Sequence, residues 1–211
     1  MKKLILALSV LSVTGVAANA QLRFAPVAGA TFSSPATKGD MLDKKMAPGF
    51  YVGGLLDYSI SRYFSIQAGL DLAMKGYHGK GNELGFDMDE KVNPFYIELP
   101  VNAVGKLPVG DGNIFLAVGP YVGYGIAGKI KITSSAPGED MDEKIKWGSD
   151  KNKDNMKPFD FGMNIGAGYE FGNGLFANIG YQAGLINTIP GGNSDFSYKT
   201  GVIKLGLGFF F

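Results

Sequence analysis

The chain has no cysteine, a single histidine and a single tryptophan, and Asp, Glu, Lys and Arg together make up only 18% of its 211 residues. Without cysteine there is no disulfide frame, no thiolate metal site and no lipoprotein anchor. A formal net charge of +1 removes the electrostatic basis for holding nucleic acid. Beyond the N-terminal segment, no stretch approaches the ~18 consecutive apolar residues of a transmembrane helix. What the chain has in quantity is glycine, 32 residues, and aromatics, 12%, in a composition that is 45% hydrophobic. Those proportions suit one domain with a large apolar surface.

Residues 1–20 read as a targeting segment. Lys2 and Lys3 precede an apolar run from Leu4 to Val16, and Ala18-Asn19-Ala20 forms a small-residue cleavage site. The run is too short to span a bilayer. The expectation is a cleaved signal peptide, with residues 21–211 forming one domain and the net charge falling from +1 to −1 as Lys2 and Lys3 leave.

The rest of the chain alternates. Phe64, Ile66, Ala68, Leu70, Leu72 and Met74 are interleaved with Ser65, Gln67, Gly69, Asp71, Ala73 and Lys75. A period of two puts the first set on one face of a strand and the second on the other. The same pattern runs through 22–32, 50–60, 95–103, 113–127, 159–171, 175–187 and 198–211, which predicts eight strands. No Asp, Glu, Lys or Arg falls on an apolar face, where a Lys or Arg at the bilayer midplane costs ~2–4 kcal/mol. The opposite face is small, with Gly53, Gly69, Gly119, Gly123, Gly162, Gly166, Gly180 and Gly206 on it. Small residues suit the crowded interior of a narrow barrel. Connections alternate as well: 33–47, 78–94 and 133–158 are long, whereas 61–63, 108–112 and 172–174 are tight. That order predicts an all-β, eight-stranded antiparallel up-and-down transmembrane barrel in the outer membrane, with long loops outside and both termini in the periplasm. Aromatics at strand ends form two girdles, Phe32, Phe50, Phe95, Tyr124 and Phe159 outside, Phe24, Tyr58, Phe64, Tyr169, Phe171, Phe209 and Phe211 inside. Pro100 and Pro120 fall within strands, where a missing donor calls for a bulge or kink at each.

The inward face carries Arg23, Lys75, Lys106 and Lys204 against Asp57, Asp71, Glu98, Asp160 and Glu170. Charges in a narrow lumen persist only when paired, so a salt-bridged plug is expected, with Glu98–Lys106 and Arg23 as participants. Phe115, Phe176 and Phe210 also point inward near one end and are candidates for its floor. The expectation is a filled barrel, with a narrow polar channel as the alternative.

Little catalytic chemistry is visible. "GYGIAG" (123–128) has the spacing of a dinucleotide loop, but an extended segment follows instead of a helix. His78 has no serine at a persuasive spacing, so the expectation is non-enzymatic, without cofactors, and a lipid-active enzyme is the alternative. "DMDEK" occurs twice in the long loops, and Asp87, Asp89, Glu90, Asp140, Asp142 and Glu143 could chelate a hard cation or bridge it to lipopolysaccharide phosphates. "KIKIT" (129–133) and "KIKW" (144–147) are expected to pair beyond the membrane, placing Trp147 on that hairpin.

The chain ends in "KLGLGFFF". Lys204, Gly206, Phe209 and Phe211 resemble the C-terminal signal by which bacterial outer-membrane barrels engage their assembly machinery. "FYIELPVNAVGKLP" (95–108) and "LAVGPYVGYGIAGK" (116–129) resemble strands of the PorT-like family of outer-membrane β-barrel domains. The resemblance implies an eight-stranded barrel in that membrane. It implies no single activity and no catalytic residues, and the namesake is linked to protein secretion. The expected partners are outer-membrane lipid and lipopolysaccharide, the assembly machinery and an extracellular ligand. The function these readings suggest is the display of loops for adhesion, ligand contact or envelope integrity, and a small channel or export component is the further alternative.

Overall fold

The computed structural model describes residues 21–38, 43–83, 86–135, 141–192 and 197–211. The expected signal segment 1–20, and Asp140 among the candidate cation ligands, lie outside them. In chain order the strands are β1 (Leu22–Ser33), β2 (Ala36–Lys38), β3 (Asp43–Ser61), β4 (Phe64–Met74), β5 (Tyr77–Glu83), β6 (Phe86–Val109), β7 (Gly112–Ser134), β8 (Met141–Lys144), β9 (Phe159–Glu170), β10 (Leu175–Gly184), β11 (Ser197–Lys199) and β12 (Gly201–Phe209). Eight of them, β1, β3, β4, β6, β7, β9, β10 and β12, form a ring in which every neighbour is antiparallel. The ring closes where β12 pairs with β1, from Val27↔Gly208 to Ser33↔Val202. Closure leaves no unpaired edge within the ring, the condition for a sheet to sit in hydrocarbon.

Period-two patterning decides which way each side chain points. On β4, Phe64, Ile66 and Leu70 are exposed, and Ser65, Gln67 and Asp71 are buried. Leu116, Ile165 and Leu207 are each more than 60% exposed on the outer surface. A continuous apolar belt of this kind requires lipid as its solvent, since soluble monomers rarely expose such patches beyond a few hundred Å². Phe50 and Phe95 meet edge to face at 6.0 Å near one margin of the belt. Tyr169–Phe171 and Phe209–Phe211 do so at the other, at 4.9 and 5.1 Å.

The tight turns lie at the end that holds Gln21 and Phe211. Gly110 and Gly174 adopt φ of 60° and 90° there, a left-handed backbone that only glycine reaches without strain. The last two residues are held in place: Phe210 N donates to Gly174 O at 2.8 Å and Phe211 N to Phe24 O at 2.9 Å.

At the other end much of what reads as loop is strand. β6 and β7 run 24 and 23 residues, about twice the 9–11 that cross a bilayer. Their far halves, with β5, the start of β3 and β8, continue the wall beyond the apolar belt. β8 pairs Ile132↔Met141 through Lys129↔Lys144. The partner of 129–132 is therefore Met141–Lys144, and of "KIKW" Lys144 lies in the ladder and Ile145 N adds one bond to Gly128 O at 3.0 Å. Ile145 and Trp147 turn inward, and Lys146 between them stays exposed.

Neither proline carries the expected bulge. The β4–β6 register is the same on both sides of Pro100, at Ala68↔Val101 and Asp71↔Glu98. β7 stays in register with β9 through Pro120↔Met163. Each proline drops a ladder bond locally, and the neighbouring strands hold the alignment. The one-residue shift of β6 against β7 falls instead between Phe95 and Tyr96, where the wall leaves the belt.

Candidate functional site

The lumen gathers all nine charged residues that the alternation turns inward. Near the termini, Arg23 donates to Asp57 Oδ2 at 2.9 Å and also binds Glu170. Asp57 is fully buried and further receives Lys106 Nζ at 2.8 Å, Ser65 Oγ at 2.6 Å and Gln67 Nε2 at 3.0 Å. Register explains the arrangement, because Arg23 and Gln67 lie directly opposite Asp57 on the two strands flanking β3.

Further along the lumen a second network centres on Glu98, also fully buried. It pairs with Lys75, and with Lys204 at 2.7 Å. Lys204 reaches Asp71 at 3.5 Å, and Lys75 reaches Asp160 at 2.9 Å. Asp71 and Glu98 face each other across β4 and β6, a like-charge pair that would be destabilising alone. Lys204 comes across the barrel from β12 and neutralises both. Tyr121 and Thr200 hydroxyls donate to Asp160, each at 3.0 Å, and the Lys75 ammonium lies 4.3 Å from the Tyr121 ring centroid, a favourable cation–π position.

The expected Glu98–Lys106 pair does not form. Both residues point inward, but eight residues of strand separate them by about 27 Å at ~3.4 Å per residue. Each finds its partner across the lumen instead. Tyr51 and Tyr96 fall on the inward face by alternation and are buried there, but the part that the hydroxyls of Tyr121 and Thr200 take in the lumen was missed. Their inward parity beside Gly119 and Val202 was the available signal.

Packed side chains narrow both ends. At the termini Phe115, Phe176 and Phe210 stack at 6.3 and 5.0 Å, with the Arg23 guanidinium 4.2 Å from the Phe210 centroid. At the opposite mouth Ile145, Met156, Tyr77, Val92 and Tyr198 form an apolar cluster, with Trp147 and Ile189 against it. Trp147 meets Tyr96 edge to face at 5.5 Å, and a Cβ on Gly125 would collide with its indole. Backbone bonds from Gly125 N to Pro158 O and from Lys157 N to Thr188 O, both 2.7 Å, tie this lid to the wall and to the next connection. Between floor and lid is a cavity of about 110 Å³ lined by Tyr51, Asp71, Asn102, Asn164, Asn178 and Gln182, room for several waters. As the only tryptophan in the chain, Trp147 reports on the lid. Its emission in the folded barrel should be blue-shifted and several-fold less quenched by iodide than after unfolding, and equal quenching in both states would show the lid to be open.

The candidate cation ligands do not converge. Asp89 and Glu90 lie on β6, Asp142 and Glu143 on β8, with β7 between them. Two strand spacings put the runs about 10 Å apart. Asp89 pairs with Lys80 at 3.3 Å and Glu143 with Lys146 at 3.8 Å. Among the described residues no three His, Cys, Asp or Glu are grouped as metal ligands would be. Asp87 lies at the exposed tip, where its backbone N donates to Ser135 Oγ at 2.9 Å. His78 faces Lys45 on one neighbouring strand and Lys91 on the other.

Residues 15–190 match the family described as outer membrane protein beta-barrel domain. The chain belongs to that family. It is thereby a bacterial outer-membrane barrel. Solved structures to which the chain is similar include Ail of Yersinia pestis in complex with the heparin analogue sucrose octasulfate, at 17% identity over 90% of this chain and 99% of that one, TM-score 0.43. Neisserial surface protein A is 13% identical over 89% and 97%, TM-score 0.47. OprG of Pseudomonas aeruginosa is 14% identical over 90% and 95%, TM-score 0.46. No curated protein matches the sequence. In this outer-membrane barrel the segments 95–108 and 116–129 supply Glu98, Lys106 and Tyr121 to the two lumen networks. Of the C-terminal residues, Lys204 and Gly206 face the lumen, and Phe209 and Phe211 are exposed on the outer surface.

Proposed function

We propose that this barrel is a non-enzymatic membrane scaffold that displays its far hairpins to the cell exterior for adhesion, ligand contact or envelope integrity. The observation that carries the reading is the lumen. It is ion-paired along its length and narrowed by rings at both ends, which leaves the hairpins as the surface for function. The termini and tight turns sit in the periplasm in this reading, with β5, β8 and the 145–158 lid outside. Lys204, Gly206, Phe209 and Phe211 address the chain to the assembly machinery. The strand resemblances at 95–108 and 116–129 support a reading of it as PorT-like within the family. Lysines on both sides of His78, where a hydrolase would need a serine and a carboxylate, favour the non-enzymatic reading.

Replacing residues 146–157 with a short glycine–serine linker should leave the barrel folded and abolish any attachment that cells gain from the intact chain. Equal attachment to every surface and partner tried would reject display. In planar bilayers the intact barrel should give no steady conductance steps, and reproducible steps would establish the channel reading instead.

A further inference from the structure

The sheet that rises beyond the apolar belt has two unlike faces. One turns Tyr77, Val92 and Ile130 toward the lid cluster. The other carries a row set by register alone: Lys45 opposite His78, His78 opposite Lys91, Lys91 opposite Lys131, Lys131 opposite Asp142. One step nearer the belt lies a second row, Asn93–Lys129–Lys144. Lys45, Lys91, Lys129, Lys131 and Lys144 are all exposed, and none makes an ion pair among the described residues. The acids on this face include Asp89, held by Lys80 at 3.3 Å, Asp142, which ends the first row opposite Lys131, and Asp87, exposed at the far tip.

Lysines directly opposite one another across a ladder repel. A strand pair that places Lys91 against Lys131, with Lys45 in the same row, Lys129 and Lys144 in the next and Asp142 as the one acid in either row, leaves an excess of positive charge that calls for an anionic partner. Position says which kind. Phe95, at the aromatic margin of the belt, is two residues from Asn93 and four from Lys91, so the two rows stand about 7 and 13 Å further along a tilted strand. Headgroups occupy roughly the first 5–8 Å outside the hydrocarbon, and lysine stems reach back toward them. A compact ammonium is a suitable point charge for phosphate.

We propose that this lysine lattice binds the phosphate groups of a phosphorylated glycolipid in the outer leaflet, holding a lipid collar beneath the displayed hairpins. The inference rests on the orientation given above, with the hairpins outside.

The test uses the mature chain in nanodiscs containing either a bis-phosphorylated glycolipid or the same glycolipid with its phosphates removed, with retained lipid counted by native mass spectrometry. The intact barrel should retain the phosphorylated form selectively. Lys91→Gln with Lys131→Gln should weaken retention roughly thirtyfold, from a loss of about one phosphate-surface attraction per lysine. Lys153→Gln, on the lid, should change nothing. A heat-modifiable band in the gel certifies that each variant is folded. Equal retention of both glycolipids, or no effect of the double substitution, overturns the proposal. Full competition by inorganic phosphate at matched concentration also overturns it, by making the ligand a soluble anion. Lys153→Cys, the only thiol in such a chain, should react with a membrane-impermeant maleimide on intact cells. Failure to label refutes the orientation, whereas labelling with equal glycolipid retention refutes the lysine lattice alone.

Discussion

Glu98→Leu should destabilise the folded barrel by about 3–5 kcal/mol in urea titrations from lipid vesicles, the cost of breaking a buried pair from one side. Glu98 is fully buried and is the carboxylate shared by Lys75 and Lys204. Its loss leaves Lys204 with Asp71 at 3.5 Å and Lys75 with Asp160 at 2.9 Å, and it removes the acceptor of Gln182 Nε2. Glu98→Gln, which keeps shape and one acceptor, should fall between the leucine variant and the intact chain. The comparison that isolates burial is Glu143→Gln. That residue meets Lys146 at 3.8 Å with both side chains about half exposed, so its change should stay within ~1 kcal/mol. Similar losses at Glu98 and Glu143 would mean that the lumen is wet enough to screen its charges.

A comparable loss is expected from one added isopropyl group at the seam. Gly29 and Gly206 face each other where β1 meets β12. A Cβ at Gly29 would strike the Leu205 carbonyl oxygen and come within 2.8 Å of Gly206 Cα and 2.7 Å of the Tyr51 ring. Backbone cannot rotate away, so Gly29→Val must part the two strands that close the ring. The expected result is a loss of ~3 kcal/mol or more and a folded fraction that collapses in the heat-modifiability gel. At Gly206 the obstacle is side chain, the Tyr51 hydroxyl and Asn178, so Gly206→Ala should be milder and partly rescued by Tyr51→Leu. Gly105 is the control: a Cβ there meets nothing within 4 Å, and Gly105→Val should fold as the intact chain does. If Gly29→Val also folds normally, the seam is looser than the contacts describe.

Most of the barrel was legible because a strand's period of two is written into the chain. A residue's parity alone says whether it meets lipid or lumen, which is why the inward set from Arg23 to Lys204 was readable together with the three floor phenylalanines. Parity says nothing of height. Glu98 and Lys106 share a face and were expected to meet, yet the pleat holds them far apart. Length also misled at the far end: glycine, lysine and aspartate in 78–94 and 133–158 read as loop, while β5 and β6 carry a ladder through the first and β8 adds Met141–Lys144 of the second to the edge of β7. A hairpin held by a neighbouring strand tolerates poor strand formers, and tertiary pairing overrides propensity there.

The sequence by itself determined that this chain is a closed sheet with an apolar exterior, since alternation and a polar, glycine-rich inner face allow no other burial. Only the tertiary structure decided which carboxylate each lysine answers, that Trp147 turns down over Gly125 to cap the mouth, and that Lys91 stands against Lys131. Those facts depend on strand tilt, register and the distance across the lumen, quantities set jointly by all eight strands and carried by no single segment.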